Sequence, residues 1–305
     1  MPRFLRRKMK KAAVVPIVIA TVFWGFIGFF STTIKNAGLS TPQTLSARMT
    51  FAALALIAAT LFANPKKGFR IGSLKDLLLL FGCGTVTLTI NNMFYFTSIE
   101  RSGMSVAAVL MYTAPIFVMI MSAFIYKEKI TPIKVLALIV TFAGCALVSI
   151  SSSKNTADPV GIVCGLVSGI TYAMYSIFAN SLLKRYTSLT VVMYTYIFAA
   201  LSSYFVASPF TTFPLMYSTG MTVYAILFGI FCSAAAHGLY SLGMKYTEPS
   251  VASILATLEL VMASIVGFFA FGQSLAWYNY IGIALVMAAV IMLNIKPLQK
   301  EEKKA

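Results

Sequence analysis

Ten apolar runs, most of them long enough to cross a bilayer and parted by short polar breaks, leave this chain few ways to fold. A hydrocarbon core of ~30 Å takes roughly 20 apolar residues per helix. Backbone placed there must satisfy its own hydrogen bonds, and a helix does so within one segment. The runs fall at about 12–34, 43–63, 74–97, 104–126, 131–150, 159–181, 188–208, 220–244, 250–271 and 276–294. Only 10% of the 305 residues are charged and 59% are hydrophobic, whereas about a quarter of the residues in soluble domains carry charge. The expectation is an all-α integral membrane protein with ten transmembrane helices. Little is left over: a basic arm, 1–11, and a basic tail, 296–305.

A net charge of +16 invites a nucleic-acid reading, and its distribution argues against one. With the N-terminus inside, 20 of the 24 Lys and Arg residues fall on inside segments: the arm, 64–75, 127–134, Lys184 and Arg185, Lys245, and the tail. Lys35, Arg101 and Lys154 fall outside, and Arg48 lies within the second run. This asymmetry is the positive-inside rule, and it predicts a cytoplasmic-membrane protein with both termini in the cytoplasm. The arm sits where it also meets anionic lipid. The first run is too long for the apolar core of a signal peptide and has no A-x-A-like site before Lys35, so a retained helix is expected. Cys83, Cys145, Cys164 and Cys232 all fall inside runs without ligand spacing, and neither a disulfide, a metal nor a cofactor is expected.

Shifting the sequence by 145 residues superimposes Tyr95 on Tyr240, Ser105 on Ser250, Val106 on Val251, Ala107 on Ala252, Leu110 on Leu255 and Phe124 on Phe269. A five-helix unit starts and ends on opposite sides of the membrane, so its second copy enters upside down. The charges agree: the segment after run four is basic, and its counterpart at 272–276, after run nine, carries no charge. The two repeats are read as 12–150 and 159–295. Inverted repeats of this kind recur in secondary transporters, with the substrate near the midplane between the halves.

Several stretches resemble the EamA-type branch of the drug/metabolite transporter superfamily. They are Trp24-Gly25 in run one, Arg48 early in run two, and AAVLMYTAPIFVMIMSAFIYKEKIT, which holds Pro115 in mid-run and Glu128 just past its end. In the second half TLELVMASIVGFFAFGQSL resembles the corresponding run, with Leu260 at the usual proline position and Gln273 at the usual glutamate. The resemblance covers essentially the whole chain. It implies ten helices in two inverted five-helix repeats around a central cavity, and export of amino acids or related metabolites, with some members importing.

Within the runs, polar residues mark the candidate substrate site. Glu259 sits about ten residues from either end of run nine, where an ionised carboxylate costs about 2.5–3.5 kcal/mol on insertion scales. On a continuous helix Ala252, Ala256, Glu259, Ala263 and Gly267 share one small-residue face, opposite Ile254, Leu258, Val261, Ile265 and Phe268. The first face is expected to pack inward and the second to meet lipid. Glu259 then either exchanges a proton, pairs with a substrate ammonium, or bonds a neighbouring helix. His237, the only histidine, shares a face with Ser233, Tyr240 and Ser241 and pairs through the repeat with Asn92. Asn91, Asn92 and Tyr95 are candidates from run three, and Trp24, Tyr112, Tyr172 and Tyr175 supply apolar walls with polar tips, as small-molecule sites do. Arg48 either snorkels to the outer surface or captures a substrate carboxylate. Gly161, Gly165 and Gly169 favour close helix contact, within the chain or between subunits. Pro16 and Pro115 are expected to kink their helices, Pro115 as a flexing point for gating.

The function expected is a secondary transporter in a lipid bilayer exporting a small organic substrate by alternating access, with Glu259 as the candidate for proton coupling. Import or exchange of another metabolite or drug fits the same fold. The sequence has no phosphate loop of G-x-x-x-x-G-K-[ST] spacing. An intramembrane enzyme acting on lipid-linked substrates would want convergent acid, base or metal groups, and the one intramembrane acid and one histidine lie in different runs, so no enzyme is expected. Substrate identity, direction, coupling ion and oligomeric state are left open by the sequence.

Overall fold

In the computed structural model, residues 3–63, 65–149 and 158–294 are described, and they are helical wherever they are regular. Eight helices are long and apolar enough to cross a membrane: α1 Val14–Asn36, α2 Thr41–Ala63, α3 Leu74–Ser102, α4 Met104–Tyr126, α5 Pro132–Ser149, α6 Pro159–Leu183, α8 Thr222–Met244 and α9 Pro249–Phe271. Two shorter apolar helices, α7 Ser188–Ser203 and α10 Trp277–Leu293, complete the ten.

The helix starts are chemically ordinary. Ser73 accepts a hydrogen bond from the Asp76 N–H at the start of α3, Asp158 from that of Gly161 ahead of Pro159, and Thr187 from that of Thr190. Each satisfies a backbone donor that the first helical turn leaves free.

Some details depart from the sequence reading. The basic arm is not separate over its whole length, since helix runs from Arg3 into α1. Residues 1–2 and the tail 296–305 lie outside the described residues. The first helix passes through Pro16 and is interrupted later, at Phe26. Helix α7 stops at Ser203 rather than 208, because Tyr204–Phe205–Val206 turns into a short helix, Pro209–Ser218.

The packing has a two-fold pattern. Helix α1 packs on α8 and α9, while α6 packs on α3 and α4; α2 meets α7, and α5 meets α10. Each of these pairings maps onto another, or onto itself, when helix n is exchanged for helix n + 5. The seam of α5 and α10 shows the relative direction. Asn279 donates to the carbonyls of Leu147 and Val148 at 3.1 Å. Gly282 lies against Gly144, and Ala289 shares a buried cluster with Ala137. Numbers rise along one helix as they fall along the other, so equivalent helices run antiparallel: the two five-helix repeats are inverted.

Glycine permits the tightest contacts. A Cβ on Gly144 would stand 2.8 Å from the Gly282 carbonyl oxygen, and one on Gly282 would stand 2.7 Å from that of Gly144. Gly84 of α3 presses in the same way on Phe198 and Ala199 of α7, and its repeat counterpart Gly229 of α8 presses on Phe51 and Ala52 of α2. The Gly161, Gly165 and Gly169 face of α6 packs on Ser102, Ser98, Leu110 and Thr113 within the chain. Lipid takes the outer faces, where the repeat-related Phe124 and Phe269 are 82% and 81% exposed.

Candidate functional site

Helices α4 and α9 are both broken near mid-length, at Tyr112–Thr113 and at Thr257, and these positions are 145 residues apart from Tyr112 to Thr257. A threonine hydroxyl bonds a preceding carbonyl at each break, Thr113 to Leu110 at 2.6 Å and Thr257 to Ile254 at 2.7 Å. Hydroxyls that compete with the helical ladder in this way bend or interrupt it. Pro115 stands at the start of the second segment of α4, where its missing N–H is tolerated. The expected mid-helix kink is therefore a break placed just ahead of the proline.

The two-face reading of α9 holds only in part. Ala252, Ala256 and Gly267 are buried and Ile265 and Phe268 exposed, as expected, but Ile254, Leu258 and Val261 are buried and Ala263 is exposed. The first segment of α9 is buried at every residue but Val251, and beyond Thr257 the helical phase restarts.

The two breaks meet. Tyr112 donates its phenolic O–H to Glu259 Oε1 at 3.2 Å, joining the first repeat to the second. Glu259 lines a narrow pocket with Tyr112, Pro115, Tyr172, Ser253 and Thr257, and its cavity volume is only about 10 Å³. That is about the room that one water molecule needs, so the centre is constricted in this conformation.

Next to it stands an aromatic cage around His237. The rings of Trp24, Tyr175 and Tyr196 lie 5.0, 5.4 and 5.4 Å from the imidazole, all edge-on. Trp24 Nε1 and the Tyr196 hydroxyl both reach Nδ1, at 3.4 and 2.8 Å. Indole only donates, so the hydrogen-bond network assigns Nδ1 as the acceptor and the ring proton to Nε2. Tyr240 lies with its ring centroid 5.3 Å from that of Trp24, tilted by 53°, and bonds Ser176 at 3.0 Å, while Tyr175 bonds Ser241 at 2.8 Å. Helices α1, α6, α7 and α8 are thereby tied together beside the pocket.

The other candidates are placed differently. Asn91 donates to the Ser168 carbonyl at 2.7 Å and to the Thr171 hydroxyl at 3.2 Å, bridging α3 to α6. Asn92 bonds back to Leu88 O within its own helix at 2.6 Å. Arg48 does not reach past the end of α2: its guanidinium lies 5.0 Å over the Phe228 ring, and its Nε is buried without a hydrogen-bond partner. Among the described residues no carboxylate pairs with it. Tyr196 was missed by sequence reasoning because its repeat counterpart is Phe51, which carries no polar tip. Ser176 was missed because a serine in an apolar helix resembles ordinary packing.

Helices α3 and α8 share one further irregularity. Each contains a π-helical stretch, Gly82–Ile90 and Phe228–Ala235, at positions related by the repeat. Wide turns of this kind are rare and concentrate at functional sites. Here they end immediately before Asn91 and Asn92 in one half, and just before His237 in the other.

The model of the EamA-like transporter family matches this chain twice, over residues 11–150 and 159–295. The chain belongs to the EamA-like transporter family. An uncharacterized transporter of Archaeoglobus fulgidus is 29% identical to this EamA-like chain over 279 residues, 90% of the chain and 94% of the relative. The uncharacterized transporter YxxF of Bacillus subtilis is 26% identical over 292 residues, 95% of the chain and 91% of the relative. A crystal structure superimposes with a TM-score of 0.72 at 18% identity, covering 92% of this chain and 96% of the other, and so shares the EamA-like fold. The molecule is a multi-pass membrane transporter.

Proposed function

We propose that this protein is a secondary transporter of the cytoplasmic membrane that exports small organic metabolites, amino acids or related compounds, by alternating access. The observation that carries the reading is the Tyr112–Glu259 contact, at which the broken helices of the two inverted halves meet in a pocket. Helix breaks expose backbone groups and permit the two segments to move separately, and a site between inverted repeats is reached from either side as they rock. Glu259 is the coupling and ammonium-binding residue. Trp24, Tyr95, Tyr112, Tyr172, Tyr175, His237 and Tyr240 form the walls, and Asn91 and Asn92 support them from α3. Pro115 marks the gating break, and the unpaired Arg48 takes a substrate carboxylate. Charges of both signs among aromatic rings suit an amphoteric solute better than a bare ion. The basic loops face the cytoplasm in this reading, with both termini there.

The test is efflux of radiolabelled amino acids from proteoliposomes under an imposed pH gradient. The wild-type protein is expected to release solute faster than empty liposomes, in a gradient-dependent manner, and Glu259→Gln to lose the gradient dependence. No flux above empty liposomes for any amino acid sinks the substrate assignment. Unchanged gradient dependence in Glu259→Gln removes the coupling role.

A further inference from the structure

On the basic face of the molecule the two halves are joined by a charge cluster that is buried on the side of the first half. Lys134 Nζ lies 2.6 Å from Glu128 Oε1 and 2.8 Å from Glu248 Oε2, and it also donates to the Lys129 carbonyl at 3.0 Å. The Lys134 and Glu128 side chains are only 9% and 8% exposed, while that of Glu248 is 45% exposed. Ser250, at the start of α9, donates its hydroxyl to Glu128 Oε1. Glu128 and Lys134 belong to the α4–α5 junction of the first repeat; Glu248 and Ser250 belong to the α8–α9 junction of the second. Directly beneath, Met119 of α4 and Ile254 of α9 are buried in one cluster with Ala137 and Ala289. The α4 and α9 ends on this face are thus closed by an apolar layer under an ionic one.

The opposite face lacks the equivalent. Under the 145-residue shift Glu128 maps to Gln273, Lys134 to Asn279, Glu248 to Gly103 and Ser250 to Ser105. Gln273 is exposed, Asn279 bonds only the α5 backbone and the Ala276 N–H, and Gly103 has no side chain. The ion pair found there between the halves, Arg101–Asp158 at 3.3 Å, has side chains 52% and 31% exposed, and pairs so open to solvent contribute little. One oxygen of the main cluster, Glu128 Oε2, is buried without a hydrogen-bond partner. A cluster that leaves such an atom unpaired is incompletely satisfied, and a shift in the neighbouring segments offers it water.

We propose that Glu128, Lys134, Glu248 and Ser250 form a latch that closes the basic face and has to open before solute enters the pocket from that side. The inference rests on the alternating-access reading above. In it, the latch sets the balance between the two facing states: intact, it favours access from the face opposite the basic loops, and its loss shifts the population the other way.

The test uses the full chain with its four cysteines replaced by alanine and a reporter, Ser253→Cys, in the pocket wall. Labelling by a membrane-impermeant maleimide is compared in right-side-out and inside-out vesicles. Lys134→Met is expected to raise labelling from the basic face and lower it from the other, changing the ratio roughly tenfold, the size of a modest two-state shift. Lys134→Arg is expected to keep the wild-type ratio. Where Lys134→Met yields no folded protein, Ser250→Ala is read in the same way with a smaller shift of the same sign. An unchanged ratio, or equal rises from both faces as in a loosened fold, overturns the latch. The readout needs no substrate, so failure of the flux assay and failure of the latch give different signatures.

Discussion

Lys127 and Gly272 end equivalent helices, 145 residues apart, and both adopt the left-handed turn, with φ of 53° and 63°. In both, the next N–H reaches back six residues: Glu128 to the Ser122 carbonyl at 3.2 Å, and Gln273 to the Gly267 carbonyl at 3.3 Å. The backbone of the two junctions is the same helix-terminating motif. Their chemistry is not. After Lys127 come the two residues that clamp the halves together on the basic face, whereas after Gly272 comes an exposed amide. Inverted duplication keeps the backbone solution, which is costly to reinvent, and leaves side chains free to make the two faces of the membrane unlike. Here that asymmetry resides in a handful of residues rather than in the fold.

The largest effect that sharpens this comparison is expected at positions where the halves are still alike. Gly84→Leu and Gly229→Leu each drive a side chain into the backbone of a neighbouring helix, α7 or α2. Each is expected to cost about 3 kcal/mol or abolish folding, with similar losses in the two halves, measured by thermal unfolding in detergent. A large difference between the two would mean that the repeats do not share the α3–α7 and α8–α2 contacts equally. Next come the positions where they differ. Lys134→Met leaves two carboxylates facing each other at the edge of the membrane and is expected to cost about 3 kcal/mol. Its counterpart Asn279→Ala removes hydrogen bonds to the α5 backbone and is expected to cost only about 1 kcal/mol. Equal losses would contradict the asymmetry. The smallest effects have opposite signs at one geometry: Lys127→Gly is expected to stabilise and Gly272→Ala to destabilise, each by about 1 kcal/mol, because only glycine adopts the left-handed turn without strain.

Much of the architecture was legible in the sequence because the bilayer imposes length. Run 104–126 coincides with α4, and most other helix ends fall within a few residues of the runs. The inversion was legible from parity and charge, since five crossings reverse the direction of entry and basic residues collect on one side. The interior of the helices was not. Nothing in the composition of GCGTVTLTI separates a π-helical stretch from an α-helical one, since both satisfy the backbone within the segment. The break at Thr257 depends on which carbonyl its hydroxyl bonds, and without it the face arithmetic for α9 put Ile254 and Leu258 in lipid. Around the site, Glu259 stood out as a lone acid in an apolar run. Its bond from Tyr112 was not visible, because the two residues are 147 positions apart and belong to different repeats. The pairing of Lys134 with Glu128 and Glu248 was hidden for the same reason: Glu128 stood out only through the family resemblance, and Lys134 only as one more loop charge.

The wide turns of α3 and α8 have a mechanical implication. A π-helical stretch stores surplus chain, and tightening it by one residue would advance everything beyond it by the α-helical increment, about 1.5 Å of rise and 100° of rotation. In α8 the turn that holds His237 follows directly, so such a step would swing the imidazole out from among Trp24, Tyr175 and Tyr196, screw-fashion, and carry the rest of the helix with it. The two halves carry matching right-handed threads that run in opposite directions across the membrane, and winding one while slackening the other would turn a small change in backbone pitch into a reorientation of what faces the pocket.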